Sequence, residues 1–391
     1  MLKFIQKIHH SLPPEIRGIY RFLIVFLRKI KRFVLPVHTF ECFISAEEGQ
    51  SFTFMHIGWD DKLRAYWLDR LGNNYKHIKS NKILSIYTSR LLNRSKSKVD
   101  LVLVESGKNA KSNAYKNGFM LPRWMEMIVD IESSIKKSKI KNIIRSIKKH
   151  ALSYEIKNSR EDFDIFYHHM YKPFSLKRHG QSADIADYKH FANKYHKYKS
   201  ELFFIVKDNE TIASAYIEYI KDIPRVSAIG VKDADDNYFR MGVVGALYYF
   251  VMSFYLSKGL RKIFVGNTLP VLFDGVTEFK MQLGAKPFVN DLKNKQKTFL
   301  FPLSANQNMI QSLHLNPFFY LNINHLNICT FNAASFFHTK EEFLVYFKRL
   351  RWQHASKLVF YYHKDKSVFD EWLDNTEIPN IEFRNFKSLI E

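Results

Sequence analysis

Apolar residues in the middle of the chain come in short dense runs whose spacing alternates between two positions and nearly four. Runs at 202–206 and 212–220, joined by the polar stretch 207–211, have the pattern of a β-hairpin, and 225–231 reads as the next strand. From Arg240 the small residues Gly242, Gly245 and Ala246 open an apolar stretch reaching Leu256. That stretch predicts a long helix, with Gly259 as its stop. A strand at 262–265 and a helix at 277–283 follow. Upstream, helical runs at 161–172 and 186–195 enclose Pro173 and a basic loop at 177–180.

Outside this segment the pattern is plainer. Strands are predicted at 38–44 and 51–57, then a helix at 60–71 with Asp60 as its N-cap. Further strands follow at 99–105 and 124–131. The stretch 135–152 interleaves Lys and Arg with isoleucines, which reads as a half-solvated basic helix. Near the C-terminus, Thr339 and Glu342 form a capping-box pattern ahead of an apolar helix at 343–350, and 357–362 reads as a strand. The expected fold class is α/β (α+β). A mixed sheet flanked by helices at 153–303 is preceded by an N-terminal α/β region at 37–152 and followed by a small α/β appendage at 304–391.

The first 36 residues form a separate element. Read as a helix over 14–35, they place Arg17, Arg21, Arg28 and Arg32 on one stripe and most of the apolar residues opposite. Pro36 is the expected stop. Such a basic amphipathic helix suits either an anionic membrane surface or packing on a neighbouring domain. Its longest uncharged apolar run is far below the ~20 residues that cross a bilayer, and no signal-peptide cleavage pattern follows it. The expected location is therefore cytoplasmic, with peripheral association at an inner membrane.

Composition narrows the partners. Lys and Arg outnumber Asp and Glu by 60 to 38, a formal charge of +22 that favours an anionic partner or substrate. The two cysteines, Cys42 and Cys329, cannot build a disulfide framework, and none of the 16 histidines falls into a metal-ligand spacing. No metal is expected.

The chemistry concentrates in the middle. Small residues at a helix start let phosphate oxygens approach free backbone N–H groups, and Arg240 adds a positive charge beside them. Several strings in this region are similar to the GNAT acyltransferase superfamily, in the branch of the Fem-type aminoacyltransferases and the acetyltransferase-like proteins of bacterial polysaccharide clusters. They are Phe166 to Pro173 with Lys177 to Gly180, Arg240 to Ala246, and Asp274-Gly275 with Phe279 to Ala285. Asp100 to Glu105 and Leu121 to Trp124 also resemble that branch.

The resemblance implies a coenzyme A thioester as acyl donor. Its pantetheine arm would enter between splayed strands, and its pyrophosphate would rest on Arg240, Met241, Gly242, Val243, Val244, Gly245 and Ala246, with Asn267 nearby. The acceptor would be an amine or hydroxyl of a cell-envelope precursor, sugar or lipid. Glu218 is the first candidate for the base and Asp274 the second, the latter with helix capping as its other role. Where many GNAT enzymes carry a proton-donating tyrosine in the last helix, this chain has Phe279, which leaves the acid unassigned. Two other functions fit the sequence: an aminoacyl-tRNA-dependent transferase, and a non-catalytic GNAT-like scaffold at an anionic membrane.

Overall fold

The computed structural model describes residues 34–44, 50–106, 118–180, 183, 185–288, 296–322, 325–350, 355–363, 366–373 and 380–390. Of the predicted helix at 14–35, residues 14–33 lie outside them. They fall into two compact units, one made of Met1–Met120, Thr298–Ser312 and Phe386–Glu391, the other of Leu121–Lys297 and Leu313–Asn385. Among the described residues no helix is long and apolar enough to cross a membrane.

In the first unit, strand Val34–Phe43 pairs antiparallel on one side with Ser51–Ile57 and on the other with Asn74–Leu84. Ser51–Ile57 also pairs in parallel with Leu101–Ser106. The strand at Val34 corrects the expected helix end. Leu35 lies opposite Ile83 and Pro36 opposite Lys82, because strand pairing outweighs the local amphipathic pattern. Helix Asp61–Leu71 begins as predicted, with the Asp60 carboxylate accepting from the Lys62 and Leu63 amides, and it buries Leu63, Trp67, Leu68 and Leu71 at helical spacing. Strand Asn74–Leu84 was not legible in the sequence. Nearly all its side chains face solvent, so no alternation marks it.

The second unit is organised on a seven-stranded sheet. Its strands are β1 (Met125–Asp130), β2 (Ser153–Lys157), β3 (Ser200–Lys207), β4 (Glu210–Ile220), β5 (Ile223–Val231), β6 (Lys262–Thr268) and β7 (Lys286–Pro287). Their order is β7-β1-β6-β5-β4-β3-β2. The sheet therefore starts upstream of Ser153, since β1 pairs antiparallel with β6. β3 and β4 form the predicted hairpin through Asp208 and Asn209, both in the left-handed region that a two-residue turn needs.

Around this sheet lie α1 (Ile131–Ile135), α2 (Ser138–Lys149), α3 (Arg160–Ile165), α4 (Lys172–His179), α5 (Tyr188–Lys197), α6 (Asp236–Arg240), α7 (Val243–Ser257) and α8 (Gly275–Gln282). A π-helical turn, Phe166–Tyr171, joins α3 to α4. The basic stretch expected as a loop is thus the end of a helix, with Pro173 just after the π-turn, where the i→i−4 ladder is already interrupted. Phe163, Phe166 and Tyr167 pack with Phe191, Tyr195 and Tyr216 to bind α3, the π-turn and α5 onto β4.

The rest of the second unit is a small α/β layer. Strand Phe318–Asn322 is antiparallel to His325–Asn332, which runs parallel to Leu358–Tyr362 and that to Ile381–Asn385. Helix Lys340–Leu350 starts with the Thr339 hydroxyl accepting from the Glu342 amide at 3.2 Å, and the Glu342 carboxylate takes the His338 amide at 2.7 Å. Cys42 and Cys329 are both free and buried, and burial raises both thiols, Cys42 to about 12.

Candidate functional site

Every neighbouring pair in the seven-stranded sheet is antiparallel except β5 with β6, which is parallel and registers only at Arg225 and Phe264. Both strands carry an irregularity just beyond that point, β5 between Val226 and Ala228 and β6 between Phe264 and Asn267. A bulge in each strand interrupts the regular backbone just there, and the β5–β6 ladder is limited to that one register. Gly266 stands in the β6 bulge with φ of 80°, and an added Cβ would lie 2.8 Å from the Val226 carbonyl oxygen. Only glycine fits that backbone at that approach.

A polar network fills the sheet at this register. The Arg225 Nε donates to both oxygens of Glu126 at 3.1 and 3.0 Å, and its Nη1 donates to Glu218 at 2.7 Å and to Ser227 at 2.9 Å. Ser227 and Lys194 complete the shell of Glu218. With its amide nitrogen toward Glu126 and its oxygen toward Arg225, each at 3.1 Å, Asn267 closes the ring. Glu126 and Glu218 are both buried, 4% and 7% exposed. Each buried carboxylate is therefore matched by a cation and satisfied by hydrogen bonds, the condition under which burial of charge is tolerated.

This arrangement decides what Glu218 can do. Burial pushes its carboxyl up, but hydrogen bonds from Lys194, Ser227 and Arg225 outweigh that and hold it below its ordinary value of 4.5. A depressed, saturated carboxylate is a weak proton acceptor. Its stabilising contribution is present above pH 4.5 and lost as pH falls through the lowered folded value. Glu218→Gln should destabilise the protein by about 3 kcal/mol at neutral pH, because Arg225 and Lys194 lose their counter-charge. Urea unfolding at pH 7 and at pH 3 measures this, and the gap should shrink at the lower pH.

Asp274 is an N-cap. Its carboxylate accepts the Val276 and Thr277 amides at 3.0 and 3.1 Å, and the side chain is 5% exposed. Phe279, one turn into α8, packs against Tyr248 with ring centroids 5.6 Å apart and lies under Lys139. Tyr248 is buried with its hydroxyl facing the Val265 carbonyl, and burial raises its pKa above the ordinary value of 10.

Lys280, the residue after Phe279, was not singled out in the sequence. Its side chain is buried, and Nζ donates to the Asn267 carbonyl at 2.8 Å. An added Cβ on Gly266 would stand 3.5 Å from that nitrogen, which places the ammonium beside the β6 bulge. Burial drives its pKa down to about 7, with Glu126 opposing and Arg225 reinforcing the shift. A lone lysine in a Phe-Lys-Met string carries no sequence signal of this. Only its burial against the β6 bulge distinguishes it.

The glycine-rich element sits at a helix junction. Arg240 ends α6, and Gly242 adopts a left-handed conformation, φ 78°, immediately before α7. The amides of Met241 and Gly242 bond back to the Asn237 and Phe239 carbonyls, and that of Ala246 makes the first α7 bond, to Gly242. The N–H groups of Val243, Val244 and Gly245 precede that first bond and form the anion-facing end of the helix dipole.

Gly245 serves close packing, since an added Cβ would meet Ile143 of α2 at 2.9 Å. Ser146 of the same helix donates to the Met241 carbonyl at 2.6 Å. Cations gather nearby. Lys177 pairs with Asp236 at 2.8 Å, Arg178 lies 4.3 Å over the Phe239 ring, and Arg240 and Arg178 both act on Asp236.

The order hairpin, third strand, glycine-opened helix, strand and C-terminal helix is the one read in the sequence. The second unit has a mixed α/β fold. No family model matches the chain, and no curated protein matches it in sequence.

Among solved structures, FemX is similar at 12% identity with a TM-score of 0.36, covering 68% of this chain and 84% of its own. The C-terminal domain of a protein described as a lysylphosphatidylglycerol synthetase, from Agrobacterium fabrum, matches at 11% identity and a TM-score of 0.33, over 69% of this chain and 86% of that one. A GCN5-related N-acetyltransferase from Anabaena variabilis matches at 10% and 0.29, over 74% and 63%.

Proposed function

We propose that the chain is an acyltransferase that moves an acyl group from a coenzyme A thioester to an amine or hydroxyl of a cell-envelope precursor, sugar or lipid. The observation that carries this reading is the buried Lys280 ammonium beside the β6 bulge, where the β5–β6 ladder is limited to one register. With its pKa lowered to about 7, Lys280 would serve as the proton donor to a thioester sulfur brought to that point.

The residues at the α7 start fit the donor's phosphates. Val243, Val244 and Gly245 offer N–H groups, and Arg240, Arg178 and Lys177 offer charge. The group they would hold supplies an activated acyl carbon. The chain's own residues then handle the proton. As the acceptor nitrogen forms its bond to the acyl carbon and the carbon–sulfur bond breaks, Lys280 gives its proton to the departing sulfur. Neutral Lys280 takes back the proton that the new amide nitrogen sheds, so charge and protons balance over the cycle. A thiol is the weaker acid of the pair, at about 8.5, so the first transfer runs downhill. The Glu126–Arg225–Glu218 network fixes Asn267, whose carbonyl holds Nζ; these are positioning residues.

Calorimetric titration with coenzyme A and acetyl-coenzyme A tests the donor site. Saturable binding supports the reading. Tight binding of aminoacyl-tRNA without coenzyme A binding overturns it in favour of a tRNA-dependent transferase, and binding of neither leaves a scaffold.

A further inference from the structure

The first unit contains a cleft of its own, about 360 Å³, lined by strands Val34–Phe43, Ser51–Ile57 and Asn74–Leu84 and by helix Thr88–Ser95. Its walls are apolar, with Val37, Met55, Ile83 and Leu91 among them, and its polar side carries Lys79, Arg94 and Lys98. A backbone irregularity shapes it. The pairing of Val34–Phe43 with Asn74–Leu84 shifts between Thr39 and Phe40, so Ile78 is the extra residue and joins Lys79 on the cleft side. Lys79 stands directly across from Thr39. From the helix side Leu91 and Arg94, three residues apart, project together, and Lys98 follows from the turn after the helix.

Two observations indicate that the cleft is built to receive an anion. Thr39 is 3% exposed and lines the cleft, yet its Oγ1 has no hydrogen-bond partner among the described residues. A buried hydroxyl without a partner is costly unless a ligand satisfies it. The second is charge. Between Asn73 and Val99 the chain holds Lys76, Lys79, Lys82, Arg90, Arg94, Lys96 and Lys98 and no carboxylate. The next acid, Asp100, is committed to the Thr53 amide at 2.7 Å and to Ser304. Beside the cations the same segment exposes large apolar side chains, Ile78 at 51%, Ile86 at 69%, and Leu84 and Tyr87 near half. Positive charge next to protruding aliphatic and aromatic groups is the composition that rests on an anionic bilayer.

We propose that this cleft binds the phosphate-bearing head group of an anionic phospholipid. Thr39, Lys79, Arg94 and Lys98 hold the phosphate, and Ile86 and Tyr87 enter the acyl boundary. This places a membrane contact in the folded first unit, in addition to the basic segment at 14–35 singled out in the sequence, and it does not depend on the acyl-transfer reading.

The test is co-sedimentation of the full chain with vesicles of phosphatidylcholine alone or mixed with phosphatidylglycerol. Binding is expected only to the mixed vesicles and should weaken as salt rises. Lys79→Gln, Arg94→Gln and Lys98→Gln together should weaken it on the order of 100-fold, since each cation near such a surface is worth roughly a factor of five. Thr39→Val, which removes only the hydroxyl, should weaken binding severalfold while leaving the thermal melt unchanged or raised.

The proposal is overturned if the triple variant, with a wild-type melt, sediments as the wild type does. That result would assign the binding to other basic segments. Equal binding to both vesicle types, or binding to neither, also overturns it.

Discussion

Replacing Lys280 by methionine is expected to lower the transfer rate by about two to three orders of magnitude while raising folding stability at neutral pH. The two effects have one cause. Burial brings the lysine to a pKa of about 7 from its ordinary 10.5, which makes it both a useful proton donor and a strained guest in the core. Loss of a positioned proton donor costs typically 10²–10⁴ in rate, whereas replacing a buried charge with an apolar chain of similar length stabilises on the order of 1–3 kcal/mol.

The pH dependence separates the roles. Between pH 7 and 10.5 the unfolded chain binds a proton at this position that the folded chain does not, so wild-type stability should rise with pH across that window. Lys280→Met should abolish this rise. Activity should move the other way, falling as pH climbs through about 7 and the donor proton is lost. Lys280→Arg keeps the charge but cannot release a proton in this range, so it should stay at least tenfold below wild type. An arginine variant within threefold of wild type would contradict proton donation and leave only charge stabilisation.

The second large effect is expected at the start of α7. Arg178→Glu with Arg240→Glu reverses two charges beside the Val243–Gly245 amides, where both side chains act on Asp236. Affinity for coenzyme A should drop roughly 100-fold, as charge-assisted contacts to phosphate are worth about 1.5–3 kcal/mol each. KM for the thioester should rise far more than kcat falls, because these contacts hold the donor equally in the ground and transition states. Dephospho-coenzyme A alongside coenzyme A would show which phosphate the pair reads. A KM unchanged by the double substitution would remove the donor site from this junction. Arg178 and Arg240 are exposed, so the melt should move little.

The two effects come from different kinds of evidence in the chain. The Arg240–Ala246 string is local. Its arginine, its glycines and the start of the apolar run behind them fall within seven residues, so the sequence alone predicted a helix start there. What folding added is the division of labour inside the string. Gly242 makes the left-handed turn, Gly245 admits Ile143 from a helix about 100 residues upstream, and only the amides of Val243 to Gly245 precede the first helical bond.

Glu218 and Asp274 were also legible as acids on a strand and before a helix. Their environments were not. Glu218 is saturated by Lys194, Ser227 and Arg225, and Asp274 caps α8.

The sequence by itself determined the hairpin at β3 and β4, the third strand, the glycine-opened helix, the Asp60 and Thr339 caps, and hence the α/β class. Each depends on residues a few positions apart, where periodicity and turn chemistry act directly. Tertiary structure alone decided the rest. Strand Asn74–Leu84 has no apolar face to announce it and forms because Val34–Phe43 offers an unpaired edge. The Glu126–Arg225 pair joins residues 99 positions apart. Lys280 has its lowered pKa because α8 buries it against the β6 bulge. A side chain's proton affinity is set by what excludes water around it, and only the packed fold supplies that.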